Sequence, residues 1–214
     1  MWPDAEKTEQ LLSGARGGDQ EAVNRLMDRH RDSLRRMVQM RLDRKIQRRI
    51  DVSDVVQDVL VEANRRLKDY LANPVLGFHL WLRQIAKDRI IDAHRRHRGS
   101  AKRSVDRERQ LAVPAADDHS TMELAAQLCD RQLTPQAAAT QQEMAELVEQ
   151  AITKLDDHDC EIIIMRHYEQ LSNQEIAQAL SLTEPAASMR YLRAVRRLKE
   201  LLVNPAADPS RVHE

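Results

Sequence analysis

Three sets of side chains in this sequence have the types and the spacing to do chemistry. Asp51, Asp54, Asp58 and Glu62 recur three to four positions apart, so on a helix they form one acidic side. Like charges at that spacing repel by roughly a few tenths of a kcal/mol per pair. Left in water, such a row is only a solvated face. Against a basic partner it is a docking surface, and with the right donors it would hold a divalent cation. No His or Asn stands at ligand spacing on the same side, which argues against the cation. The second set is cationic: Arg95, Arg96 and Arg98, then Lys102 and Arg103, gather positive charge where phosphate is attracted. Phe78 and Trp81 stand at the entry to the helix that carries it and read as core, Trp81 above all; Phe78 or His79 would stack on a base if it lies on the loop ahead of the helix. The third set, Ser188, Arg190, Arg193, Arg196 and Arg197, can reach phosphates or base edges.

Helices position all three. Val52, Val55, Val56, Val59, Leu60, Ala63 and Leu67 make an apolar stripe beside the carboxylates. Phe78, Trp81, Leu82, Ile85, Ala86 and Ile90 open a second helix that ends in the arginines, which also suit its C-terminal dipole. Ser172 and Glu175 have capping-box spacing before a short helix, Ser181–Leu182–Thr183 make a turn, and Thr183 caps a long helix with Pro185 in its first turn. In that helix Ala187, Tyr191, Ala194, Leu198 and Leu201 form a packing seam, which leaves the arginines outside; the arrangement is a helix-turn-helix. Near the N-terminus, Gly14, Gly17 and Gly18 break one helix and Asp19 caps the next. No Gly-Lys-Ser/Thr follows these glycines, so they are not a phosphate loop.

The 214 residues suit one large domain or two small ones; with 3% aromatic residues, 5 Gly and 7 Pro, they lack the turn formers and aromatic strand residues of a sandwich or barrel. The expected fold class is all-α. Cys129 and Cys160 form no Cys-x-x-Cys pair, so neither a disulfide framework nor a zinc site is expected, and no cofactor site is found. No apolar run approaches the ~18 residues of a spanning helix and the N-terminus has no apolar signal core, so a cytoplasmic protein without membrane insertion is expected. Net charge is zero, yet residues 1–110 hold 25 Lys and Arg against 17 Asp and Glu, 111–160 hold 2 against 10, and 161–214 hold 7 against 7. Screening beyond about 8 Å makes these local balances, not the sum, what a polyanion feels. The boundaries follow: a helical domain over 1–110, a flexible acidic linker over 111–135 with one short helix at 122–128, a second helical domain over 136–203, and a fraying tail over 204–214.

Four motifs in order carry a resemblance. Gly17-Gly18-Asp19 with Arg29-His30, Asp51-Val52-Ser53-Asp54-Val55-Val56-Gln57-Asp58-Val59, Phe78-His79-Leu80-Trp81-Leu82 through Ile85-Ala86-Lys87-Asp88-Arg89-Ile90-Ile91-Asp92, and Leu171-Ser172-Asn173-Gln174-Glu175-Ile176-Ala177 resemble bacterial RNA polymerase sigma factors. Their order and spacing are similar to the extracytoplasmic-function (ECF) branch of the sigma-70 family, over about residues 10–202. The resemblance implies that the two domains are sigma regions 2 and 4. It implies that Asp51, Asp54, Gln57 and Asp58 dock on the clamp helices of core polymerase. It assigns Phe78, His79, Lys87, Arg89, Arg95, Arg96 and Arg98 to the minus-10 element and its melting, and Glu184, Ser188, Met189, Arg190, Arg193 and Arg196 to the minus-35 element. Promoter DNA and core polymerase are the implied partners, with room for an anti-sigma factor; no enzymatic activity is implied. The sequence departs from the family at Ser181, where many members place Gly, and at Pro185-Ala186-Ala187-Ser188, where a Gly-Thr-Val-Lys type is frequent. Two rivals are a free-standing dimeric helix-turn-helix regulator, which leaves the acidic row unexplained, and a metal-dependent nuclease built on that row.

Overall fold

In the computed structural model, residues 2–42, 50–99, 119–128 and 138–203 are described, the side chains of 97–99, 119 and 138–142 excepted. These residues are helical with short connections and contain no strand. The chain divides into two compact units, Met1–Arg107 and Glu108–Glu214.

The first unit holds α1 (Ala5–Arg16), α2 (Gln20–Arg41), α3 (Val52–Ala72) and α4 (Phe78–Gly99). Capping fixes their starts. Asp4 accepts from Lys7 N at 3.0 Å, Asp19 accepts from Glu21 N and Ala22 N, and Asp51 accepts from Ser53 N at 2.8 Å. Between α1 and α2, Gly18 turns with φ +85°, and a Cβ on Gly14 would lie 2.8 Å from Ala22 Cβ, so glycine lets the two helices touch. Helix α2 packs on α1, α3 and α4, and α3 packs on α4. Leu26, Leu34, Val38, Val59, Ala63, Leu82 and Ala86 are fully buried at their junction. One end of this core is aromatic. Phe78 meets His30 edge-on at 5.0 Å and Tyr70 at 5.5 Å, Tyr70 stacks on Trp81 at 4.6 Å, and Trp2 lies against His30 and His79.

The second unit holds α5 (His119–Leu128), α6 (Ala138–Thr153), α7 (Asp157–Ile163) running into a π-helical turn (Ile164–Tyr168), α8 (Asn173–Leu180) and α9 (Glu184–Val203). Of the segment expected as a linker, residues 119–128 are helix α5, which packs on α6 and on the π turn with Leu124 and Ala125 buried. Thr121 Oγ1 and Tyr168 OH share a buried hydrogen bond of 3.0 Å. That part of the segment therefore belongs to the packed unit; the rest of 111–135, Cys129 included, and the tail 204–214 lie outside the described residues. Cys160 is buried, a small apolar residue in use.

Candidate functional site

In the first unit, the apolar stripe of α3 is buried and its acidic side is in water. Val55, Val56, Val59, Leu60, Ala63 and Leu67 face the core, while Asp51, Asp54, Gln57 and Asp58 are all exposed. Asp51 also serves as the N-cap, so its carboxylate sits at the positive end of the helix dipole.

Glu62 leaves that row. Its side chain is only 8% exposed, accepts from Arg65 at 2.6 Å and from Arg66, and forms an ion pair with Arg89 of α4 at 2.9 Å. The Arg65 hydrogen bonds are the main cause that holds its carboxyl near pH 2, with Arg66 adding to them and burial opposing. Arg89 also reaches Asp92 at 3.7 Å, and Arg96 lies 3.7 Å from Asp58. Asp58, Val61, Glu62, Arg89, Asp92, Arg95 and Arg96 line a cleft of about 420 Å³ between α3 and α4. Three carboxylates against three guanidiniums leave it no net charge with which to select a small ion.

The residues assigned to the minus-10 element separate accordingly. Lys87, Arg95 and Arg96 are exposed along α4. Arg89 is half-buried and engaged with Glu62 and Asp92, and Arg98 lies on α4 with its side chain outside the described residues. Phe78 corrects the expectation of a stacking residue on a loop. It is the first residue of α4 and 3% exposed, so its ring faces inward onto His30, Tyr70 and Trp81 and cannot receive a base without unpacking the core. His79 is half-buried against Trp2, 5.9 Å between ring centroids.

His30 was not a candidate, and its titration is strongly shifted. It is fully buried, and burial pushes it down to about 4. Its Nδ1 lies 2.9 Å from Leu26 O, a carbonyl that can only accept, so Nδ1 carries the proton of a neutral ring.

In the second unit the helix-turn-helix is built as its local signals dictate. Glu175 N donates to Ser172 Oγ at 3.2 Å and Ser172 N to Glu175 Oε2 at 2.7 Å, completing the capping box. Ser181 ends α8 in the left-handed region, φ 54° and ψ 43°, the conformation that favours glycine. Ala186 N donates to Thr183 Oγ1 at 3.3 Å, and Asn173 Nδ2 donates to Glu184 O at 3.1 Å, tying the start of α8 to the start of α9. Ala187, Ala194, Leu198 and Leu201 are buried along α9, and Tyr191 shares a 2.9 Å hydrogen bond with His167 Nε2 under the Arg166 guanidinium. That seam turns the assigned residues outward. Glu184, Met189, Arg193 and Arg196 are exposed, and Ser188 and Arg190 are half-exposed. Across from them on α7, burial holds the Asp159 carboxyl above its ordinary value and Asp156 adds to the push, while Arg193 and Arg190 pull it back.

Two features were missed in the sequence. The Glu62 hub had a local signal, Arg65 and Arg66 three and four positions on, but its link to Arg89 spans the fold. The pairing of Trp2 with His30 and His79 had no signal at all. Among the described residues, no group of three or more His, Cys, Asp and Glu is placed to hold a metal ion, and no helix is long and apolar enough to cross a membrane.

A bundle with an exposed acidic helix and a helix-turn-helix in a second unit is the arrangement that the motifs imply, and the comparison with known families agrees. Residues 5–201 match the ECF sigma factor family. The chain belongs to the ECF sigma factors. It is an RNA polymerase sigma factor, which acts in transcription initiation, and sigma factors are regulatory proteins rather than catalysts. The RNA polymerase sigma factor CnrH of Cupriavidus metallidurans is 30% identical over 193 residues, covering 90% of this chain and 92% of that protein. A solved structure of CnrH in complex with the cytosolic domain of CnrY is similar with a TM-score of 0.55 at 25% identity, covering 94% of this chain and 98% of the other. The free-standing dimeric regulator is not favoured by this membership.

Proposed function

We propose that this ECF sigma factor divides its work between its two units: the first docks on the clamp helices of core polymerase and engages the minus-10 element, and the second reads the minus-35 element. The observation that carries the reading is the state of α3. Its apolar stripe is buried, yet Asp51, Asp54, Gln57 and Asp58 all stay in water on one side of the helix, an acidic surface open to a basic partner. Lys87, Arg95 and Arg96 on α4 serve the minus-10 DNA backbone, with Arg98 beyond them in sequence. Glu184, Ser188, Met189, Arg190, Arg193 and Arg196 form the surface that α9 presents to the major groove. Melting then follows from binding, because contacts to unpaired strands offset an unstacking cost of a few kcal/mol without covalent chemistry. The chain acts in the cytoplasm, catalyses no reaction itself, and takes an anti-sigma protein as a further partner, by analogy with the CnrH–CnrY complex.

The test is promoter-specific transcription by purified core polymerase with and without this chain, together with Asp54→Arg. The variant should keep its helical content and lose affinity for core. Equal affinity in wild type and variant would remove α3 from the docking surface.

A further inference from the structure

We infer that Met189 and Leu192 recognise the C5-methyl groups of thymine in the minus-35 element, so that A·T pairs at neighbouring positions are read through an apolar contact rather than a hydrogen bond. The inference rests on the reading of α9 as the helix that enters the major groove.

Exposed apolar side chains scattered singly need no explanation, but these two are not scattered. Met189 is 57% exposed and Leu192 53%. They stand three positions apart, Arg196 follows four positions on, and all three lie opposite the seam of Ala187, Ala194, Leu198 and Leu201. The outermost line of the helix therefore runs apolar, apolar, cationic. Arg193 is exposed beside it, and Ala186 and Ser188 flank the line near the start of the helix as small, half-exposed residues.

The occupant of such a line is set by its charge and its place in the motif. Arginines on and beside the line fit a polyanion. The N-terminal part of the second helix in a helix-turn-helix meets base edges; Met189 lies in the second turn of α9 and Leu192 at the start of the third. Of the groups displayed in the major groove, the thymine methyl is the apolar one that marks a base. An unbranched thioether and a leucine offer no donor or acceptor to the other edges, and they would leave hydrogen-bonding groups of G·C pairs dry and unpaired. Helical rise places the two residues about 4.5 Å apart along the axis, a spacing comparable with the ~3.4 Å step between stacked pairs.

The experiment uses holoenzyme assembled from the full chain and bacterial core polymerase. Bound duplexes are selected from a randomised pool, and each thymine of the selected minus-35 element is then replaced by deoxyuridine, which deletes only the methyl group. Wild-type holoenzyme should lose about fourfold in affinity at each of two neighbouring thymines, the value of one buried methyl. Met189→Ala should abolish the difference at one of them and Leu192→Ala at the other. Both residues are exposed, so neither variant threatens the fold. A selected element whose affinity is indifferent to every uracil, or a methyl preference that survives both substitutions, overturns the inference and leaves α9 a DNA-binding helix. Loss of core binding in Met189→Ala with unchanged methyl preference overturns it too, by giving the face to a protein contact. Failure to select any duplex strikes the proposed function itself.

Discussion

The two units order their cationic side chains by opposite means. On α4, arginines are held by acids of the same unit: Arg89 by Glu62 and Asp92, Arg96 near Asp58. On α9, the buried seam and the caps do most of the ordering: Arg197 pairs with Glu200 at 3.1 Å, but Arg193 and Arg196 project to solvent along with two apolar side chains, Arg193 on the side of Asp159. Neutralised arginines attract DNA weakly at a distance and must be won from their acids. Projecting ones pay little to reach a groove. The difference suits an element that is opened after a partner has docked against one that is recognised as an intact duplex.

Perturbing one unit and watching the other breaks this comparison or sharpens it. Both tryptophans, Trp2 and Trp81, belong to the first unit, so tryptophan fluorescence follows that unit alone. Leu34→Ala should remove about 2–5 kcal/mol from the denaturant transition read this way. It should leave the second unit's transition, read from Tyr168 and Tyr191, where it was; a joint shift would mean the units unfold as one. Acid should act on the first unit next. His30 has a folded value near 4 against an ordinary 6.5, so the unfolded chain binds the extra proton and stability falls as pH drops from 6.5 toward 4, by about 3 kcal/mol in total. Glu62, held near 2 against 4.5, continues the loss from 4.5 downward. Equilibrium unfolding at stepped pH should show both windows, His30→Phe erasing the upper and Glu62→Gln the lower. Arg193→Ala should cost about 1–3 kcal/mol, measured as holoenzyme affinity across minus-35 variants. A loss confined to one base pair marks base contact, and an even loss with a shallower salt slope marks phosphate. Smallest, Ser181→Gly should stabilise the second unit by about 1 kcal/mol in thermal unfolding, because glycine carries no penalty in the left-handed region.

What was legible in the sequence was local. The Asp19 cap, the Ser172–Glu175 box, the Thr183 cap and the seam of α9 each depend on residues within a turn or two, and each stands in the structure where the pattern put it. The acidic row was legible for the same reason up to Glu62, where a contact from α4 overrides the periodicity. The sequence leaves Phe78 open between core and stacking. Whether a residue ends a loop or opens a helix turns its ring out or in, and only packing against His30 and Tyr70, far away in the chain, decides it. The burial of Trp2 on two histidines is likewise a tertiary fact that no window of sequence contains.

The Glu62 hub has a mechanical consequence. One carboxylate grips guanidiniums from its own helix and from the next, so α3 and α4 are cross-braced near the middle of α3. A load applied to one member is transmitted to the other as in a rigid truss, and amide exchange should slow along both helices together when a partner seizes either one.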